Sequence, residues 1–513
     1  MGLLEQQAQD HPEAIALIDG SLRRTWQQWN ERATKLANAL AQRGVGRGSG
    51  VAVHARNRAE WLDTSFALSK IGANVVSVNP RLAVPEIRYI LDNSGAAALV
   101  SDQGALCAAA TSWRVAGGGP LLAIGIEAAA DHPGVAEFEA FVAAGDPTPR
   151  AAISGPMGAS LLYTSGTTGA PKGAIRNPPA DPAELAEFMR DIMSRFGMRP
   201  GERHLLVCPL AHAAPPIYAQ MTHLVGGTVI IMARFDAERV LEMIEAEAIT
   251  STFLVPTMLN RLVNLPDHVR GRADHTSLRT IVTGGSTCNA VLKRRVAGSF
   301  GQVLFDLYGA TESGLQTMLE PSDQLTHADS VGRVLPGNAL RFLDESGNDV
   351  AAGQPGEIWA RGPMQMDRYH DNPEATAAAV KDGWVTAGDI GYMDGDGYVY
   401  ILDRVKDVVI SGGVNIYPAE IEAVLANHPS VFDSAVVGVP HEDWGEALLA
   451  IVQPHVGSSV VEAELEEFCR SELAAFKCPR QWKFVAELPR NHIGKVLKKE
   501  LRAPYWSSRP ANV

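Results

Sequence analysis

Apolar positions recur at helical spacing across residues 26–45 (WQQWNERATKLANALAQRGV), which predicts an amphipathic helix. Short apolar runs follow at intervals: GVAVHA, ANVVSVNP, HLLVCP, GTVIIMA, STFLVP, LRTIVTGG and QVLFDLYG. They read as buried strands, with helical patterns between several of them. Asp181-Pro182 reads as an N-cap with proline at the first helical position, opening AELAEFMRDIMSRFG. Residues 102–158 are Ala/Gly/Pro-rich and predict loops and short elements. Strand–helix alternation predicts an α/β body with sheets covered by helices. After Gly356, EIWARG and GDGYVYIL predict a smaller β-rich element. The pattern restarts near Arg404 with VVISGG, AEIEAVLANHP, SAVVGVP and ALLAIV, which predicts a separate α+β unit of about 110 residues.

Composition narrows the class. The chain has 513 residues, 46% apolar and 20% charged, an ordinary globular mixture. No apolar run approaches the ~18 residues of a membrane span, and the N-terminus lacks the charge and apolar core of a secretory signal. Five cysteines without a CxxC pair predict neither a disulfide framework nor a zinc cage, and fit a reducing cytoplasm. Net charge −13 argues against nucleic-acid binding. Residues 471–513 nevertheless carry nine Lys/Arg against three Asp/Glu, a balance of +6, so the rest carries −19. A basic tail on an acidic protein suits an anionic ligand or a solvated helix face.

The densest chemistry lies in residues 163–173, YTSGTTGAPKG. Its glycines allow tight turns that point amide N–H groups at one anion. Thr164, Ser165, Thr167 and Thr168 add hydroxyl donors around Gly166 and before Gly169, and Lys172 adds a point charge. The stretch reads as a phosphate cradle. It is not a Walker A loop, because Pro171 and Gly173 stand where that pattern needs Gly and Ser/Thr.

Position by position, this stretch resembles the phosphate loop of the adenylate-forming superfamily. That family embraces acyl- and aryl-CoA synthetases, peptide-synthetase adenylation domains and luciferases. Other segments follow in the family's order. Tyr308-Gly309-Ala310-Thr311-Glu312 resembles its YGxTE segment. Thr386-Ala387-Gly388-Asp389 resembles its TGD segment, with Ala387 inserted. Residues 403–418 resemble its hinge and following loop, and Gly494-Lys495 its C-terminal GK pair. The likeness runs from about residue 10 to 500.

The resemblance implies a large ATP- and acyl-binding N-terminal domain, 1–403, and a small mobile C-terminal domain, 404–513, with the hinge at Asp403. It implies the following roles. Tyr308 stacks on adenine, with Asp306 and Gly309 beside it. The backbone of Gly284, Gly285 and Ser286 approaches the flat ligand, and Gly284 also borders the acyl group. Asp389 and Arg404 hold the ribose. Thr311 donates to the α-phosphate, and Glu312 ligates Mg²⁺. Lys495 brings charge to the reacting carboxylate and α-phosphate. His212 follows a PxxH-like segment near the acyl site, where Ala211 replaces the family's bulky neighbour. Gly412 and Gly413 line the path of the CoA thiol. Cys288 has no general-base pattern and reads as a small core or loop residue.

Within the family, a peptide-synthetase domain needs a carboxylate for its substrate amine, and residues 210–218 contain none. Nothing argues for a luciferase. A stand-alone carboxylic acid–CoA ligase fits best. It activates a hydrophobic acid as acyl-AMP with ATP and Mg²⁺, then passes it to coenzyme A. The alternative acceptor is a carrier protein. Outside the family, a kinase fails on the missing Walker A loop, and a nucleotide sensor is the non-enzymatic alternative. The expected partners are a small carboxylic acid, ATP and CoA, with a homodimer one admissible assembly and no membrane span.

Overall fold

The computed structural model describes residues 3–114, 121–127, 132–149, 160–164, 171–176, 182–491 and 494–506. Among them the strands form four sheets, of nine, eight, five and five strands. The nine-stranded sheet contains a parallel run through Thr228–Ile231, Arg203–Leu206, Ser251–Phe253, Thr280–Gly284 and Leu304–Ala310. The helices Ala237–Ala246, Pro256–Val263 and Ala290–Phe300 connect its neighbours. The eight-stranded sheet is parallel at Asn74–Ser77, Gly50–His54 and Ala98–Ser101. It becomes antiparallel where Ser160–Thr164 meets Lys172–Arg176. Arg368–Tyr369 closes that edge, with Tyr369 opposite Ala174.

The predicted helix at 26–45 forms as Trp26–Gln42. Thr25 caps it reciprocally: its hydroxyl accepts the Gln28 N–H, and the Gln28 side chain accepts the Thr25 N–H. Together with Ala59–Ile71 it packs in one apolar cluster with Val51, Val53 and Val100 of one large sheet and Leu206, Val229 and Ile231 of the other. Asp63 is buried inside this layer. It accepts from Arg24 (2.6 Å), Arg32 (2.6 Å) and Trp29 (2.8 Å), so its charge is paired and hydrogen-bonded.

A five-stranded antiparallel sheet follows, as the β-rich pattern predicts. It includes Gly356–Arg361, Trp384–Met393 and Val399–Arg404. The smaller C-terminal unit is α+β. Val431–His441 and Gly445–Pro454 form its long hairpin, and Pro418–Leu425, Glu462–Glu472 and Lys498–Trp506 are its helices. No helix among the described residues is long and apolar enough to cross a membrane. All five cysteines are buried and unpaired; Cys288 lies in an apolar cluster, as its sequence context predicts.

Among the described residues, four cations of the basic tail are paired inside the C-terminal unit: Lys477 with Glu420, Arg490 with Asp433, Lys498 with Glu422 and Arg502 with Glu446.

Asp306 also departs from expectation. Its side chain does not face a nucleotide site. It is 3% exposed and forms an ion pair (2.7 Å) with Lys293, itself 1% exposed, whose ammonium also donates to the Ser330 carbonyl (2.8 Å). Alternation along Leu304–Ala310 turns Asp306 inward to the helix Ala290–Phe300. Removing one partner of such a pair leaves an uncompensated buried charge. Lys293→Met should therefore cost about 3–5 kcal/mol. The double variant Lys293→Met/Asp306→Leu should recover most of that. Urea denaturation followed by tryptophan fluorescence measures both, and a single variant with an unchanged midpoint contradicts the buried pairing of Lys293 with Asp306.

Candidate functional site

Four of the expected residues converge at one place. Tyr308 and Asp389 stand on neighbouring regions of two sheets, and the Tyr308 hydroxyl donates to Asp389 Oδ2 at 3.0 Å. Burial and the Asp389 charge hold the phenol pKa well above its usual range, so it remains a donor. Arg404, opposite Asp389 in the pairing of Trp384–Met393 with Val399–Arg404, places Nε 3.0 Å from Asp389 Oδ1. Asp389 thus orients two side chains at once.

Lys495 reaches the same place from the C-terminal segment. No carboxylate lies within ion-pair distance of it among the described residues, while the charges of Arg404 and Asp389 both act on its ammonium. Burial first, and then Arg404, lower its pKa to about 8. Its backbone is fixed by a hydrogen bond from its N–H to Asn491 Oδ1 (2.9 Å). Gly494 has φ +80°, and a Cβ there would lie 2.3 Å from Thr257 Oγ1 of the N-terminal body. The Gly-Lys pair therefore needs glycine both for its dihedral and for close approach.

A second group surrounds Glu312. The Tyr369 hydroxyl donates to Glu312 Oε1 (2.6 Å), and the Lys172 ammonium sits 5.4 Å from the centre of the Tyr369 ring. The Met366 N–H donates to the Glu312 carbonyl (2.7 Å). Arg176 donates to the Thr311 carbonyl (2.6 Å). Gly309 sits at a register shift between Leu304–Ala310 and Gly314–Leu319, where a Cβ would lie 2.3 Å from the Gly314 carbonyl. The TE pair is thereby held on a tight hairpin.

Gly284 ends its strand with space for a Cβ closed by the Leu307 carbonyl at 2.9 Å. Gly285 turns the chain at φ +82° ahead of Ser286. His212 lies in the turn before the helix Ala214–Leu224, its N–H donating to the Pro209 carbonyl (3.1 Å). Ser165, Gly166, Thr167, Thr168 and Gly169 lie outside the described residues, as does the side chain of Thr164.

Gly412 and Gly413 are not part of either group. They form the exposed two-residue turn of the hairpin Val409–Ser411/Val414–Ile416, both at positive φ (+59° and +80°), as a type I′ turn demands. The Gly412 N–H donates to the Trp444 carbonyl (2.9 Å). Asp403, beside Arg404, accepts the Ala419 N–H at 3.0 Å and so caps the helix Pro418–Leu425. Sequence reasoning missed Tyr369, Arg176, Thr257 and Trp444. None lies in a motif, and each acts through a partner more than 30 residues away.

Next to the Glu312 hairpin lies an apolar cluster: Phe188, Ile192, Phe196, Tyr218, Phe253 and Phe305, with Ile217, Leu307 and Leu315 packed against it. Met189, Met193, Met198, Met221, Met258, Met318 and Met364 also belong to it. His204 borders it, stacked on Tyr218, and burial lowers its pKa to about 3, so it is neutral.

Comparison with known proteins agrees with this arrangement. The sequence model of the AMP-binding enzyme family matches residues 4–370, and that of the AMP-binding enzyme C-terminal domain matches residues 420–495. A feruloyl-CoA synthase of Amycolatopsis sp. is 36% identical over 507 residues, covering 97% of each chain. A long-chain-fatty-acid–CoA ligase of Mycobacterium tuberculosis is 33% identical over 521 residues, covering 99% of each. The structure of o-succinylbenzoate CoA synthetase from Bacillus subtilis, in complex with its acyl-adenylate intermediate, superposes with a TM-score of 0.83 at 28% identity, over 100% of this chain and 99% of that one. The chain belongs to the AMP-binding enzyme family of adenylate-forming enzymes, as an AMP-forming acid–CoA ligase.

Proposed function

We propose that the enzyme activates a hydrophobic monocarboxylic acid of medium to large size and transfers it to coenzyme A. The observation that carries this reading is the approach of Lys495, from the C-terminal segment, to the Tyr308–Asp389–Arg404 group of the N-terminal body. Asp389 and Arg404 would hold the ribose, and Tyr308 the adenine, with Gly284, Gly285 and Ser286 along its edge. Lys172, with the hydroxyls and amides of residues 164–169, would hold the phosphates. The carboxylate attacks the α-phosphorus and pyrophosphate leaves. Lys495 and Thr311 stabilise the charge that develops there.

Glu312 suits a magnesium ion. Among the described residues no three His, Cys, Asp or Glu side chains converge as a metal cage. A hard ion that keeps its waters and nucleotide oxygens needs only one or two carboxylates, and Tyr369 occupies one oxygen of Glu312. When bound, the ion would neutralise charge on the phosphates.

In the second half-reaction the CoA thiol attacks the acyl adenylate and AMP leaves. Gly412 and Gly413 are far from serving that step in the arrangement described, so the reading includes a rotation of residues 404–513 about Asp403. Lys495 then withdraws and the glycine turn enters, since one site cannot hold pyrophosphate and the thiol together. CoA as acceptor is supported by the activities named for the relatives. The methionine-rich cluster beside Leu307 and Leu315 supports a bulky apolar acid, because methionine adapts to irregular apolar shapes. The small residues Ala211, Ala213 and Ala214 around His212 add room on that side.

Lys495→Ala should slow acyl-adenylate formation ~10²-fold or more, and leave thioester formation from supplied acyl adenylate intact. Because Lys495 titrates near 8, kcat/KM of the adenylation half should fall as pH rises through about 8, where the ammonium loses its proton. Lys495→Arg should move that fall to higher pH. Equal loss of both halves in Lys495→Ala, or a flat profile in the wild type, contradicts the assignment.

Gly413→Leu should keep pyrophosphate exchange and lose CoA turnover. Open space surrounds the turn, so the side chain meets no neighbour, although its φ of +80° strains a leucine. Circular dichroism verifies the fold; a folded variant that loses both reactions equally rules the role out.

Across acetate, succinate, benzoate, octanoate and a steroid acid, AMP release with CoA present should give the higher kcat/KM values for the larger apolar acids. Acetate or succinate as the best substrate defeats the pocket reading.

A further inference from the structure

Two side chains that no motif marks converge on the carboxylate of Glu312 and the peptide that carries it. Tyr369 is buried on the short edge strand Arg368–Tyr369, and its own N–H donates to Thr376 Oγ1 at 3.0 Å. Its hydroxyl donates to Glu312 Oε1 at 2.6 Å.

Arg176 is the stranger of the two. It stands at the end of Lys172–Arg176, and one terminal nitrogen donates to the carbonyls of Thr311 (2.6 Å) and, more weakly, Ala310 (3.4 Å). No carboxylate lies within ion-pair distance of it among the described residues, and its Nε–H is buried without an acceptor. Burial lowers its pKa to about 10, while the charge of Glu312 opposes that shift, so the guanidinium remains charged at neutral pH. A buried charge without a contacting counter-charge is costly. Here the cost is met beside the one carboxylate proposed to meet a metal.

We propose that Arg176 and Tyr369 are a pair of positioning residues that aim Glu312 at the metal ion of the bound nucleotide. Tyr369 fixes one carboxylate oxygen and so sets the plane of the group, leaving the other oxygen for the ion. Arg176 fixes the main chain at Ala310 and Thr311, from which Glu312 springs. The Tyr369 ring also carries the Lys172 ammonium on its face. One side chain therefore spaces a phosphate-binding cation from a metal-binding anion. Such outer partners set the direction of a ligand as firmly as its own backbone does.

The inference rests on Glu312 as the metal ligand. The test is binding of Mn²⁺ to the full-length enzyme with a non-reactive ATP analogue, followed by electron paramagnetic resonance. Tyr369→Phe removes one oxygen atom and should weaken Mn²⁺ binding about tenfold. Arg176→Met should do the same, and Arg176→Lys should restore part of the loss. Affinity for a stable acyl-adenylate analogue, which needs no metal, should stay within twofold of wild type. Glu312→Gln is the reference. If it weakens Mn²⁺ binding while Tyr369→Phe and Arg176→Met match wild type, the positioning role is overturned and the ligand assignment stands. If Glu312→Gln itself binds Mn²⁺ normally, both are overturned. Should Arg176→Met fail to fold, Tyr369→Phe decides alone, because its ring and packing are unchanged.

Discussion

The arrangement of the site depends on two adjacent side chains that must point in opposite directions. Successive residues of a strand face opposite sides, and Asp403 and Arg404 end the strand Val399–Arg404. Arg404 therefore turns to Asp389 of the N-terminal body, and Asp403 turns to the first turn of Pro418–Leu425 in the C-terminal unit. Lys498 of the last helix adds its charge to the Asp403 side, although burial still raises the pKa of that carboxyl. One dipeptide thus grips both units, and its position decides where Lys495 arrives.

Charge is distributed with the same economy. The chain is acidic overall, yet Lys495, Arg176, Arg404 and Lys172 stand near Tyr308, Thr311 and Glu312. Of these, Arg404 has a contacting carboxylate, whereas Lys495 and Arg176 have none among the described residues, and burial lowers the pKa of both. Four other cations of the C-terminal tail, Lys477, Arg490, Lys498 and Arg502, are paired with acidic neighbours. The free enzyme therefore stores unfavourable electrostatics at one place, which an anionic nucleotide would relieve. The neighbouring apolar cluster is the opposite: rich in methionine and aromatic residues, and bordered by a histidine kept neutral by burial. Polarity thus changes sharply between the cation-rich group and the cluster beside it.

Much of this was legible locally. The helix at 26–45, the alternation of strands and helices, and the restart of the pattern near Arg404 are written in spacings of two to four residues, the range over which helices and strands impose their periods. The glycine pair 412–413 announces its turn because only residues tolerant of positive φ can occupy it. The ordered motifs led to Tyr308, Asp389, Arg404 and Lys495, which the fold gathers from positions up to 187 residues apart. The motif that first revealed the family, residues 165–169, lies outside the described residues, so its geometry adds nothing to that agreement.

Tertiary structure decided the rest. Asp306 and Asp389 are both buried aspartates within strands, and both stand in or beside a family motif. Only the helix Ala290–Phe300, packed against one face of its sheet, gives Asp306 a buried lysine and withdraws its side chain from the site. The basic tail reads as a single excess of charge because its acidic partners are 56–76 residues earlier in the chain. Tyr369 reaches Glu312 only because its two-residue strand pairs with Lys172–Arg176, some 190 residues earlier in the chain, and that same strand carries Arg176 to the Thr311 carbonyl. A sequence displays the periodicity of its own elements. Contacts made by packing one element on another leave no period in the chain, and there the structure alone distinguishes a site residue from a core one.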